Sequence, residues 1–196
     1  MSGERLGIFG GTFDPVHVGH LVAALNARHV CRLDRVLLVV ANRPWQKQDR
    51  TVTPAEHRFA LVEAAVAGVA GLAASRLEID RGGETYTADT LEALAAEDPY
   101  RELFLVVGAD VAAELDTWQR VDVVRRLATL VVVSRPGAPT TYPGPGWRVE
   151  HVAIPLLDLS GSDLRARATA GLPLDFLVPS AVIDRIRALN LYAGGR

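Results

Sequence analysis

Cysteine is almost missing from this chain: among 196 residues only Cys31 carries a thiol. One cysteine excludes an internal disulfide and a multi-cysteine zinc site, and the helical position of Cys31 beside Val30 suits packing better than nucleophilic chemistry. A reducing cytoplasm fits that usage. Long apolar runs are also missing. No stretch approaches the ~18 residues needed to span a membrane, and the N-terminus goes straight into a strand with no signal-peptide core, so we expect a soluble protein with no membrane partner. Positive charge is not in excess. The 21 Lys and Arg stand against 23 Asp and Glu, for a formal net charge of −2, which leaves no broad basic face for a nucleic-acid polymer. An anionic ligand would have to be held by a local cluster. No internal repeat is visible, and no Gly-x-Gly-x-x-Gly follows the first strand, which argues against a redox dinucleotide domain. The length suits one α/β domain over residues 1–196, in which about 70% of the unfolded chain's surface is lost on folding. Whether it forms a homo-oligomer is left open.

What is present centres on Gly10-Gly11-Thr12-Phe13-Asp14-Pro15-Val16-His17-Val18-Gly19-His20. The apolar run Leu6–Phe9 before it is short enough for one buried strand. Leu21, Ala24, Leu25 and Arg28 after it have the 3/4 spacing of a helix with one buried side. Gly10 and Gly11 allow a sharp turn at the strand end and a close backbone approach to a ligand, and the helix beginning after His17 aims unpaired N–H groups and its positive dipole end at the same place. His17 and His20, with Gly19 between them leaving room, add side-chain donors. Together these outline a phosphate site, although a glycine pair can be only a turn and two loop histidines can be surface residues or metal ligands.

Further along, Arg35–Ala41 has the β-branched, wholly apolar look of a parallel strand buried on both faces. Residues 42–50 break the periodicity and set basic groups beyond a strand's carboxyl end, where open α/β sheets bind ligands. Thr53-Pro54-Ala55-Glu56 reads as a capping box opening a helix with Phe59, Val62, Val66 and Val69 on its apolar stripe. Arg58 falls off that stripe and reads as solvated unless it reaches the ligand loop. Arg76–Ile79 is a short strand candidate. Thr87 reads as the N-cap of a helix burying Leu91 and Leu94. Leu103–Val107 is a further strand, ending at Gly108-Ala109-Asp110, where an acid could accept ribose hydroxyls. Trp118 could stack on a ring or anchor the core. Leu130–Val133 is the next strand, followed by Arg135 and a Pro- and Gly-rich loop to Gly146. Val149–Ile154 is the last strand candidate. Ser160-Gly161-Ser162-Asp163-Leu164-Arg165 can be read as helix capping alone or as a second anion site built from hydroxyls, N–H groups and a guanidinium. Pro179 opens a final helix with Val182, Ile183 and Ile186 inward.

The Gly-Gly-Thr-Phe-Asp-Pro and His-x-Gly-His segments resemble the signature of the nucleotidyltransferase superfamily of adenylyl- and cytidylyltransferases. Ser160 to Arg165 is similar to its Ile-Ser-Ser-Thr-x-Ile-Arg motif, with Gly161 in place of a serine. Thr85-Tyr86-Thr87-Ala88-Asp89-Thr90-Leu91, Gly108-Ala109-Asp110 and Trp118 resemble the nicotinate-nucleotide adenylyltransferase branch. The loop at Pro44 and Lys47 keeps part of that branch's Pro-Pro-His-Lys pattern, with Trp45 and Gln46 substituted. The resemblance runs from Leu6 to about Tyr192. It implies a Rossmann-like, doubly wound, mainly parallel sheet with helices on both faces.

The resemblance further implies transfer of AMP from ATP to nicotinate mononucleotide, with release of pyrophosphate. His17, His20 and Arg165 would be catalytic. Gly10, Gly11, Thr12, Phe13, Gly108, Asp110, Arg135, Ser160 and Ser162 would join them in binding ATP. Lys47, Thr85, Tyr86, Thr87 and Trp118 would bind the mononucleotide. Mg²⁺ would be held mainly by the ATP phosphates, with no protein metal site. A phosphate nucleophile is already ionised near pH 7, so alignment and charge stabilisation suffice, and no catalytic triad is needed. Two rivals are a phosphopantetheine adenylyltransferase, which would lack the Tyr86–Leu91 segment and Trp118, and a nucleotide-binding sensor without turnover.

Overall fold

A computed structural model describes residues 3–43, 52–135 and 144–193. Six strands, β1 (Arg5–Gly11), β2 (Arg35–Val40), β3 (Leu72–Ser75), β4 (Glu102–Gly108), β5 (Ala128–Ser134) and β6 (Val149–Ala153), form one sheet in the order β3-β2-β1-β4-β5-β6. Every pairing is parallel. The helices are α1 (Val18–Val30), α2 (Ala55–Val66), α3 (Leu77–Arg81), α4 (Thr87–Glu97), α5 (Ala109–Ala112), α6 (Val121–Leu127), α7 (Gly161–Thr169) and α8 (Ser180–Ala188). No helix among them is long and apolar enough to cross a membrane.

Alternation along the central strands divides the core in two. Leu38, Val40, Phe104, Val106, Val131 and Val133 point to the face covered by α1, α2, α7 and α8. Leu37, Val39, Leu103, Leu105, Leu130 and Val132 point to the face covered by α4 and α6. A strand buried on both faces has to be apolar throughout, which is why these runs show no polar alternation. The chain winds outward in both directions from β1 and β4, so the crevice at their carboxyl ends is the topological switch point where such sheets receive ligands.

Several local expectations need correction. The glycine pair is not a turn: β1 runs through Gly10 and Gly11, which pair with Val39 and Val40. α1 buries Ala23, Ala24 and Ala27, while Leu25 is exposed, because small side chains let this helix lie close to the sheet. α2 starts at Ala55 with no side-chain cap, because Pro54 and not Thr53 holds the cap position and its side chain carries no hydrogen-bond acceptor. Arg76–Ile79 is not a strand; β3 lies just before it, in the alanine-rich Leu72–Ser75, and Leu77 begins α3. Thr87 is the first residue of α4, whose cap position is Tyr86.

Candidate active site

At the switch point lies a cleft of about 1050 Å³, walled by the segment after β1, the start of α1, the ends of β4 and β5, and the start of α7. Gly11, Thr12, Phe13, His17, His20, Gly108, Asp110, Arg135, Ser160, Ser162 and Arg165 all line it. Residues up to 154 apart in sequence, from the glycine and histidine segment and from residues 160–165, thus converge on one cleft. Gly10 does not line the cleft, and a Cβ there would meet open space. Gly11 has a different reason for being glycine: a Cβ would sit 2.8 Å from the Phe13 ring.

Phe13 has a left-handed backbone, with φ of 52°, and turns the chain from the strand toward α1. Its ring meets that of His20 edge-on at 5.0 Å, and the two imidazoles lie 3.7 Å apart, inclined by 31°. The His17 N–H donates to His20 Nδ1 at 3.2 Å, which fixes the second ring. The space beside Gly19 is filled by His17, whose Nδ1 would be 3.0 Å from a Cβ, so this glycine admits the imidazole itself. His17 is buried, with a pKa lowered by desolvation from 6.5 to about 4, so it is neutral at physiological pH. Its Nδ1 is buried and has no hydrogen-bond partner among the described residues.

α7 faces α1 across the cleft. Ser160 caps it by accepting from the Asp163 N–H at 3.1 Å, and the Ser160 hydroxyl donates to Asp163 Oδ2 at 2.6 Å. Arg165 reaches Ser162 Oγ at 3.2 Å and the main-chain oxygen of Asp14 at 2.6 Å. Helix and loop are so close here that a Cβ on Gly161 would lie 2.7 Å from the Asp14 oxygen. Arg135, at the end of β5, donates to the Leu157 oxygen at 3.2 Å.

Of the expected pyridine-side residues, Thr85, Tyr86, Thr87 and Trp118 do not line this cleft. Thr85, Tyr86 and Thr87 form the turn into α4, tied to the end of β2 where the Asn42 N–H donates to Thr85 Oγ1 at 3.1 Å and Asn42 Nδ2 donates to the Gly83 oxygen at 2.9 Å. Trp118 packs against the core and its buried Nε1 lacks a partner among the described residues. The loop that follows it is bound to the start of α4 by Arg120, which reaches Asp89 at 2.7 Å and Glu92 at 2.6 Å. Lys47, with its neighbours Pro44, Trp45 and Gln46, lies outside the described residues.

Three residues given no site role from the sequence, Asp14, Tyr192 and Arg58, support the cleft. Asp14 is buried and accepts from the Tyr192 hydroxyl at 2.7 Å and from the Thr53 N–H at 3.3 Å. Burial, then Asp14, push the Tyr192 phenol far above its ordinary pKa, so it stays a donor. Arg58 takes the alternative left open in the sequence: it is not solvated but 1% exposed, with its guanidinium bonded to main-chain oxygens of three segments, among them Thr12 in the cleft wall. The signals available were the position of Asp14 inside the glycine and histidine motif and the helical spacing of Arg58 with Leu61, Val62, Ala65 and Val66.

Among the described residues, no group of three or more His, Cys, Asp and Glu side chains converges as a metal site would require. The cleft is instead lined by neutral donors, hydroxyls and arginines around two aspartates, a set suited to a polyphosphate.

The sequence profile described as cytidylyltransferase-like matches residues 8–167. A probable nicotinate-nucleotide adenylyltransferase of Corynebacterium kroppenstedtii is 47% identical over 191 residues, covering 96% of this chain and 90% of that protein. One from Leifsonia xyli subsp. xyli is 43% identical, over 97% and 95% of the two chains. In structure, the Plasmodium falciparum nicotinic acid mononucleotide adenylyltransferase, solved with APC and with NaAD, superposes with a TM-score of 0.77 at 18% identity, over 96% of this chain and 97% of that one.

Proposed function

The chain belongs to the cytidylyltransferase-like family and to its nicotinate-nucleotide adenylyltransferase branch, and from that premise we propose how its cleft works. The enzyme transfers AMP from ATP to nicotinate mononucleotide, giving nicotinate adenine dinucleotide and pyrophosphate. The observation that carries the reading is the closure of His17 and His20 on one side and Ser160, Ser162 and Arg165 on the other around one crevice at the switch point.

A phosphate oxygen of the mononucleotide attacks the α-phosphorus, and the bond to pyrophosphate breaks. The nucleophile is ionised near pH 7, so no side chain has to remove a proton. The residues must align the two phosphates and offset the charge that gathers on the leaving oxygens. Neutral His17 does this as an N–H donor that keeps its shape without bulk water. His20, its ring held by the His17 N–H, provides a second contact. Arg165 and the Ser160 and Ser162 hydroxyls receive the β- and γ-phosphates at the start of α7, where the helix dipole favours an anion. Gly108 and Asp110 lie at the end of β4 for the nucleoside, with the Asp110 carboxylate as acceptor for ribose hydroxyls. Thr85, Tyr86, Thr87 and Trp118 serve the pyridine side.

Mg²⁺ would be held mainly by the triphosphate oxygens and would offset their charge. The lone buried thiol suits a reducing compartment, and we place the enzyme in the cytoplasm on that ground.

Pyrophosphate release from ATP, with nicotinate mononucleotide, nicotinamide mononucleotide and phosphopantetheine offered separately, tests the reading. Turnover with the first is expected; turnover with phosphopantetheine alone would overturn it, and none with any would leave a binding protein.

A further inference from the structure

The Arg58 side chain is buried to 1% exposure beneath the cleft, and among the described residues all its hydrogen-bond partners are main-chain oxygens. Nη1 donates to Thr12 at 2.7 Å, in the segment leading to Asp14 and His17. Nη2 donates to Ala41 at 2.7 Å and Asn42 at 3.1 Å, just past β2. Nε donates to Thr53 at 2.7 Å, and the Thr53 N–H in turn reaches Asp14 Oδ2 at 3.3 Å. Asn42 carries the connection onward to Thr85 and Gly83. A rigid planar fork therefore joins the loop of the triphosphate side to the strand end that holds the pyridine-side turn.

We propose that Arg58 is a positioning residue that sets the two substrate sites in register, holding the triphosphate loop at Thr12 and the pyridine-side turn through Ala41 and Asn42 on one guanidinium.

The chemistry favours this role over a purely structural one. A buried cation loses its hydration, and for stability alone an apolar side chain of similar volume often does as well. Burial does press the Arg58 pKa down, with Asp14 and Tyr192 opposing. What an apolar side chain cannot supply is directed bonds to three separate segments. Lysine cannot either: its single ammonium has no fork with which to span carbonyls on opposite sides. In-line transfer needs the attacking and accepting phosphates aligned to a fraction of an ångström, so the relative placement of the two sites is itself a catalytic variable.

The inference rests on the adenylyltransferase reading and is tested with the full chain in pyrophosphate-release kinetics. Arg58→Lys is expected to lower kcat at least ~10-fold and to raise KM for both substrates, with circular dichroism and melting showing a folded protein at the assay temperature. Values within twofold of the unsubstituted enzyme, or a loss confined to one substrate, overturn the proposal. Should Arg58→Lys not fold, Asn42→Ala decides, because it keeps the fork and cuts only the tie from Asn42 Nδ2 to Gly83. It is expected to raise KM for nicotinate mononucleotide at least ~5-fold and leave that for ATP within twofold. No change in either, or equal change in both, overturns the link. Absence of turnover in the unsubstituted enzyme would instead refute the adenylyltransferase reading itself.

Discussion

Arg165 Nη1 donates to the main-chain oxygen of Asp14 at 2.6 Å, joining segments 151 residues apart. The bond ties the second phosphate motif to the first and holds the guanidinium at the cleft wall before any ligand arrives. Arg165→Ala should raise KM for ATP ~10–100-fold, the cost of a charge-assisted hydrogen bond, and KM for the mononucleotide much less. Steady-state kinetics with each substrate varied decides this. An equal rise in both would mean that the substitution acts on the fold.

The paired imidazoles should act in the transition state. His17→Ala and His20→Ala are each expected to lower kcat at least ~10²-fold while the folded state persists. Near-normal turnover in a variant with an unchanged far-ultraviolet spectrum would remove that histidine from the chemistry.

Burial of His17 also makes stability depend on pH. Its pKa in the fold, about 4, is below its ordinary 6.5, so between these values the unfolded chain binds the extra proton. Stability from this group is complete above 6.5 and is lost as pH falls toward 4. Between pH 7 and pH 5 the loss should be about 2 kcal/mol, and it should vanish in His17→Gln. Urea unfolding of both proteins at the two pH values measures the difference. Parallel losses would show that the imidazole is charged in the fold or is not responsible.

Gly161 stands where a Cβ would press to 2.7 Å from the Asp14 oxygen, and main chain on main chain cannot yield as a flexible side chain can. Gly161→Ala should cost about 1–3 kcal/mol, a fall of several degrees in Tm, and should lower kcat/KM for ATP by displacing α7 from the loop. A melt and a kinetic comparison that both match the unsubstituted protein would show that the two elements separate freely.

Selectivity between pyridines follows from the start of α4. A turn that presents backbone N–H groups, as Thr85, Tyr86 and Thr87 would at the start of α4, satisfies a carboxylate and leaves an amide NH₂ facing donors, at ~1–3 kcal/mol for each unpaired group. kcat/KM should favour nicotinate over nicotinamide mononucleotide at least ~10-fold, and Trp118→Ala should weaken both. Equal use of the amide would take the carboxylate role from this turn without touching the transfer chemistry.

The parallel strands and both anion motifs were legible because each is written locally: doubly buried strands are apolar throughout, and the motifs are short and carry their own glycines and donors. Arg58 was legible only as an alternative. The stripe drawn through Phe59, Val62 and Val66 left it outside, whereas the buried face of α2 is Arg58, Leu61, Val62, Ala65 and Val66, and no local pattern tells which main-chain oxygens, those of residues 12, 41, 42 and 53, an arginine on that face will meet. β3 was missed for a related reason. Leu-Ala-Ala-Ser has little intrinsic preference for a strand, and only pairing with β2, from Val36 opposite Leu72 onward, makes it one. Asp14 stood inside a recognised motif, yet its importance depends on Tyr192, which no spacing rule could connect to it.

The bond from the Tyr192 hydroxyl to Asp14 Oδ1 spans 178 residues. Synthesis runs from the N-terminal side at about 5–20 residues per second, so roughly 10–35 s pass between the making of the carboxylate and the making of its donor. For most of that interval the loop at Asp14 is present with neither Tyr192 nor α7 to hold it. A ribosome-bound chain stopped short of α7 should therefore fail to retain ATP, and capture of the nucleotide becomes a late event in the protein's biogenesis.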